Sequence, residues 1–201
     1  MRTCIGSCRA SNRISSESKI RPEDLSRPGH YLARNYPVEM ITLARRYGDR
    51  AFAFDWLGRD LAGHAILGGW WKNESPIKQL ERELDADADF QSESLGALQR
   101  RQQAILQGAS AASLNDGRYD DATSDYYRAF AEMVSGSRYA ALASFYAERD
   151  HRIADAVASF ISAHPGKRVV VVLGADHRAA VVDHLTERFG SAIRLVPVPE
   201  I

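Results

Sequence analysis

The chain has 201 residues, with 26 Lys and Arg against 26 Asp and Glu, 45% hydrophobic residues and 26% charged ones. That apolar fraction belongs to a globular protein and is too high for a disordered one, and the length suits one domain. Zero formal net charge leaves no electrostatic footprint for nucleic acid and no pull toward an anionic membrane surface, and no stretch approaches the roughly 18 apolar residues of a membrane span.

Residues 1–27 are rich in Ser and Arg and carry no helical or strand period, so a loose, poorly ordered tail is expected there. Cys4 and Cys8 lie within it and read as two free thiols. Two cysteines alone are an incomplete metal site, since zinc takes about four ligands. Arg2, Arg9 and Arg13 precede the first acid, Glu17, a faint transit-peptide pattern. The absence of an apolar secretory core favours a soluble cytoplasmic protein.

From residue 28 to residue 201 a single domain is expected. Pro37 to Tyr47 reads as a helix with Val38, Ile41, Leu43 and Ala44 on its apolar face, ended by Gly48-Asp49. Ala51 to Phe54 reads as a short buried strand closed by Asp55, and the glycine-rich stretch from Gly58 to Trp71 as a loop or a short helix with a turn. Residues 75–134 are dominated by helix signals and form a large helical insertion. A long helix from about Arg138 follows, with Leu142, Phe145, Tyr146, Arg149, Ile153, Val157, Phe160 and Ile161 along one stripe and His164-Pro165-Gly166 as its stop. Val169 to Leu173 is a continuous apolar run, the mark of a parallel strand covered on both faces. Ala179 to Phe189 reads as a helix and Ile193 to Val196 as a strand, which would complete a βαβ unit. The fold class expected is therefore α/β, a small parallel sheet with a large helical insertion.

In open α/β sheets ligands bind at the carboxyl ends of the strands. Gly174-Ala175-Asp176-His177 follows the strongest strand; Asp176 can cap the next helix, and His177 in its first turn is a ready metal ligand or general base. Asp55 ends the other clear strand. Arg149 falls on an apolar stripe and needs a partner anion, for which Asp55 is one candidate. Structural roles compete at each position: His177 closing its turn, Asp55 capping the next segment, Arg149 pairing on a solvated face. His184, seven residues after His177, sits about 10 Å further along the helix, too far to share one metal with it easily. His30, His64, His151 and His164 show no ligand spacing among themselves, and Trp70-Trp71 suits packing better than a cofactor platform.

The last third of the chain, with Glu148-Arg149-Asp150, Ile153-Ala154, Val169 to Leu173 and Gly174-Ala175-Asp176-His177, resembles the end of the TraB/Tiki domain. That family has a Glu-Arg-Asp helix, a valine-rich strand and a Gly-X-X-His motif, and belongs with the haem-binding ChaN-like and the erythromycin-esterase-like proteins. Asn35-Tyr36-Pro37-Val38-Glu39 and Phe54-Asp55-Trp56 are similar to the middle of bacterial relatives. The resemblance implies a metal-dependent hydrolase acting on a small molecule or peptide, with His177 as divalent-metal ligand or base and Arg149 and Asp55 orienting groups in the catalytic set. The family's first Gly-X-X-His motif and its glutamate have no counterpart here: Pro28-Gly29-His30 has no strand before it, and Glu39 lies on an expected helix. A domain short of its N-terminal portion, and inactive as this chain, follows from that gap, as does an open sheet edge that would favour a homodimer. The alternative is a non-catalytic module for haem or another small ligand, with the insertion and Trp70-Trp71 forming its pocket.

Overall fold

The computed structural model describes residues 14–18 and 20–196. Among the described residues the chain is predominantly helical, which corrects the expected α/β class. The strands are only three to five residues long: β1 (Ile14–Ser18), β2 (Ala51–Ala53) and β3 (Arg168–Val172). They pair in parallel in the order β2-β1-β3, with Ser16 opposite both Ala51 and Val170. Everything else with regular structure is helix: α1 (Gly29–Asn35), α2 (Val38–Tyr47), α3 (Trp70–Asn73), α4 (Pro76–Ala86), α5 (Glu93–Leu106), α6 (Arg118–Val134), α7 (Ala140–Ala163) and α8 (Arg178–Phe189), with short 3-10 turns between them.

Two expected strand features are corrected with the fold class. The valine run of β3 is not covered on both faces, because Val170 is 42% exposed. Ile193 to Val196 forms no strand; after α8 the chain makes a 3-10 turn over Gly190–Ala192 and leaves Leu195 and Val196 exposed, so the βαβ unit does not close. Apolar composition suits a strand only where a neighbouring edge is there to accept its hydrogen bonds.

The expected loose tail is also corrected from Ile20 onward, while residues 1–13, Cys4 and Cys8 included, lie outside the described residues. Ile20 is fully buried and Arg21 is 2% exposed. The Arg21 guanidinium donates to Leu61 O at 2.9 Å, His64 O at 2.8 Å and Asp24 Oδ2 at 2.8 Å, and the Tyr36 hydroxyl donates to the same carboxylate at 2.5 Å. A charged side chain thus ties the 58–66 loop to the segment after β1, its charge matched by a buried acid as burial requires.

Local chemistry sets the helix ends. Pro76 begins α4, where a missing N–H costs nothing. The Ser92 hydroxyl caps α5 by accepting the Leu95 N–H. Gly190, at φ 49°, ends α8 in a conformation that a side chain would resist. Packing then divides into three clusters. Phe54 joins Ile153, Val157, Val181 and Leu185 between the strands and the α7–α8 pair. Ala53, one residue earlier and so on the other side of β2, joins Ile20, Leu32, Met40 and Ile41 of the α1–α2 side. Leu84, Phe130, Val134, Tyr139 and Leu142 hold α4, α6 and α7 together and so tie the insertion to the long helix. A Val, Leu, Ile, Phe or Met side chain taken fully from water contributes about 1.5–3 kcal/mol of transfer free energy. Among the described residues no helix is long and apolar enough to cross a membrane.

Candidate functional site

The 24-residue helix α7 runs past the carboxyl ends of β2 and β3 and presents adjacent residues to each. Its Arg149 is 6% exposed, inside a stripe otherwise built of Leu142, Ile153, Ala154 and Val157. Asp55, just beyond β2 and 7% exposed, supplies the anion. Arg149 Nη2 donates to Asp55 Oδ1 at 2.9 Å and Oδ2 at 3.1 Å, and Nε donates to Oδ1 at 3.3 Å. The Trp56 N–H adds a fourth hydrogen bond, to Oδ1 at 2.9 Å. Trp71 covers the guanidinium, its ring centroid 5.1 Å from Cζ, and stacks on Phe145, which also stacks on Trp56. Both oxygens of Asp55 are committed and the arginine is roofed by an aromatic side chain, so the pair locks α7 to the end of β2. Trp71 is spent on that packing.

The next residue on α7, Asp150, points to the other strand end. Its Oδ1 lies 2.5 Å from Nδ1 of His177. The backbone after β3 makes a 3-10 turn over Ala175–His177, and His177 stands at the N-cap of α8 with 7% exposure. A carboxylate only accepts, so Nδ1 carries the proton, and a neutral ring then has its lone pair on Nε2. Asp176 does not cap α8, as its sequence position suggested; it accepts a hydrogen bond from the Tyr119 hydroxyl at 2.6 Å. Arg178 binds Asn115 Oδ1 at 3.0 Å and Asn115 O at 3.1 Å, and pairs with Asp120. The start of α6 therefore clasps the turn that carries His177. Tyr119, Asn115 and Asp120 carry no sequence signal for this, since the contacts cross nearly sixty residues of chain.

Asp150 also lines a cleft of about 430 Å³ between α6, α7 and α8. Tyr127, Tyr146, His151, His184 and Glu187 share its wall. Burial, then the charges of Asp176 and Asp150, push the Tyr127 phenol well above its ordinary range, and burial together with the bond to Glu81 does the same for Tyr146. Both present neutral hydroxyls at neutral pH.

The divalent metal implied for His177 finds no ligand set among the described residues around it. The group of His, Asp and Glu side chains close enough to share one ion consists instead of His151, Asp155 and His184, without His177. His151 Nε2 lies 3.2 Å from Asp155 Oδ2, and His184 Nε2 lies 3.1 Å from Asp155 Oδ1. Spacing along one helix cannot show this cluster, because α7 contributes two members and α8 the third. Of the expected site residues, the structure brings Asp55 and Arg149 into direct contact and joins His177 to their surroundings through Asp150. Set against known proteins, the chain matches no family model, no curated protein and no solved structure.

Proposed function

We propose that the chain is a hydrolase of small carboxylic esters or amides, with the Asp150–His177 pair handling the proton at the α6–α8 cleft. The observation that carries this reading is the 2.5 Å contact between His177 Nδ1 and an Asp150 carboxylate that also lines the cleft wall. A carboxylate aimed by a buried imidazole N–H is oriented for general-base work, because its remaining lone pairs face water in the cleft. Water gives its proton to Asp150 as its oxygen attacks the substrate carbonyl carbon. The proton then passes to the departing alkoxide or amine, and the acyl group leaves as the acid. The cleft volume falls within the range of about 300–1,000 Å³ of small-molecule sites. Asp150, Asp183 and Glu187 on its wall favour neutral or cationic substrates over anionic ones. Asp55 and Arg149 act as positioning residues that hold α7, and with it Asp150, at the strand ends.

The test is hydrolysis of a panel of 4-nitrophenyl acyl esters and aminoacyl anilides. Asp150→Asn should lower kcat by about 10²–10⁴-fold, the usual share of general-base catalysis. His177→Gln should lower kcat with KM retained. Turnover by the wild-type chain no faster than by the Asp150→Asn, His177→Gln double variant would remove the proposal.

A further inference from the structure

We infer that His151, Asp155 and His184 form a binding site for a divalent transition-metal ion of the zinc class, bridging α7 and α8 at the far end of the cleft. The inference stands on its own geometry and needs no hydrolytic activity. His151 and Asp155 are one turn apart on α7, the spacing that puts two side chains on one helix face. His184 reaches the same carboxylate from the middle of α8. The three ligand atoms all lie within 4.8 Å of one another. Ligands at about 2.0–2.1 Å from a tetrahedral ion stand about 3.3 Å apart, and each imidazole nitrogen already lies at such a distance from one oxygen of the carboxylate, His151 at 3.2 Å from Oδ2 and His184 at 3.1 Å from Oδ1.

A second observation points the same way. His184 Nε2 is buried and makes no hydrogen bond, although Asp155 Oδ1 lies 3.1 Å away. At that distance the failure is one of direction: the oxygen is off the axis on which the ring nitrogen would donate. A nitrogen and an oxygen that sit side by side rather than pointing at each other are arranged to converge on a third atom. The donor chemistry selects the ion, since two imidazoles with one carboxylate suit zinc, cobalt or nickel and not magnesium or calcium. His151 is exposed and Asp155 half-buried, which leaves solvent to complete the coordination. Asp150, Asp183 and Glu187 on the same cleft wall add negative potential that draws a cation in.

Titration of the full chain with Co²⁺, read by visible absorption, is the direct test. The expected result is one ion per chain with the intense bands of low-coordinate cobalt, displaced by Zn²⁺, and a rise in Tm on adding Zn²⁺. Losing a residue that merely orients a ligand weakens metal affinity by about 10–100-fold, so losing a ligand should weaken it by at least about 100-fold. His184→Ala and Asp155→Asn should both do so and abolish the Zn²⁺ shift in Tm. His184→Gln, close in size, guards against a folding defect and is checked by circular dichroism. His177→Gln and His164→Gln should bind cobalt as the wild type does. Absence of cobalt binding by the wild type, or binding unaltered in folded His184→Gln, overturns the inference; binding lost in His177→Gln would overturn it too, by relocating the metal to the strand ends. Because no substrate enters this experiment, a failure of the hydrolase reading leaves its outcome untouched.

Discussion

Replacing Arg149 by methionine tests whether the Asp55–Arg149 pair locks the helical layer to the strands. The substitution keeps an unbranched apolar stem in the stripe and removes the charge, the donors and the guanidinium that lies over Trp71. Asp55 would then keep the Trp56 N–H and lose the three hydrogen bonds from Arg149, at 7% exposure. Breaking a buried pair from one side costs about 3–5 kcal/mol, mostly the desolvation of the charge left behind. With a urea dependence of about 2 kcal/mol per molar, within the usual range for small proteins, the unfolding midpoint should fall by about 2 M. Removing both charges has a different consequence. In Asp55→Leu, Arg149→Met no ion is left unpaired, and burial of two apolar side chains offsets the lost attraction, so the midpoint should return close to that of the wild type. Equilibrium urea unfolding followed by circular dichroism, with both singles and the double, gives the coupling energy directly. A loss below about 1 kcal/mol for Arg149→Met, which is the scale of solvent-exposed pairs, or a double variant as unstable as the sum of the singles, would refute the reasoning.

Stability should also fall at alkaline pH. Burial is the main cause that holds the phenols of Tyr36, Tyr119, Tyr127 and Tyr146 above their ordinary range. The unfolded chain sheds those protons near pH 10. The native state keeps them longer, so their contribution is complete below that pH and is lost as pH rises through the raised native values. Phenolate absorbance should therefore develop together with unfolding; complete ionisation of all the tyrosines in a chain still folded by circular dichroism would contradict it. Arg21→Met should leave the fully buried Asp24 with only the Tyr36 hydroxyl and the more distant Arg27 against it, at a cost of about 3 kcal/mol, the low end for breaking a buried pair. It should also free the 58–66 loop, now tethered through Leu61 O and His64 O, to proteolysis. Unchanged urea midpoint and cleavage pattern would show that this arginine is not an anchor.

The long helix and its buried arginine were legible in the sequence because both follow from periodicity. A charge that recurs in phase with Ile153 and Val157 must be buried with the stripe, and a buried charge needs a partner. The segment before α1 offered no such pattern. Ser- and Arg-rich composition predicts a chain that buries little, yet Arg21 is among the most buried residues of the protein. It is held by two loop carbonyls and an acid, in contacts that repeat at no interval. The strand expected at Ile193 to Val196 failed for the complementary reason. Its residues have strand composition, but pairing depends on a neighbour, and among the described residues β3 pairs only with β1.

The same contrast governs the site. The positions of Asp55 and His177 were legible because each follows an apolar run, and a residue just past a parallel strand is fixed at the carboxyl edge by its place in the chain. Asp150 was visible only as one letter of Glu148-Arg149-Asp150, yet its position explains why those three residues diverge. Successive side chains on a helix are about 100° apart. Glu148 therefore meets Arg59 at the surface, Arg149 enters the core against Asp55, and Asp150 turns to His177. One turn of α7 thus serves three environments, and its fourth residue, His151, begins the cluster with Asp155 and His184. A lock at the end of β2, an acid–imidazole pair at the end of β3 and a His–Asp–His group shared with α8 are spaced by the helix itself. Because Arg149 anchors that turn, its loss should disturb the neighbouring groups as well as stability. An Arg149→Met chain that keeps full Co²⁺ affinity in the native baseline would show that the lower half of α7 is held by Ile153, Val157 and their partners on α8 without help from the ion pair.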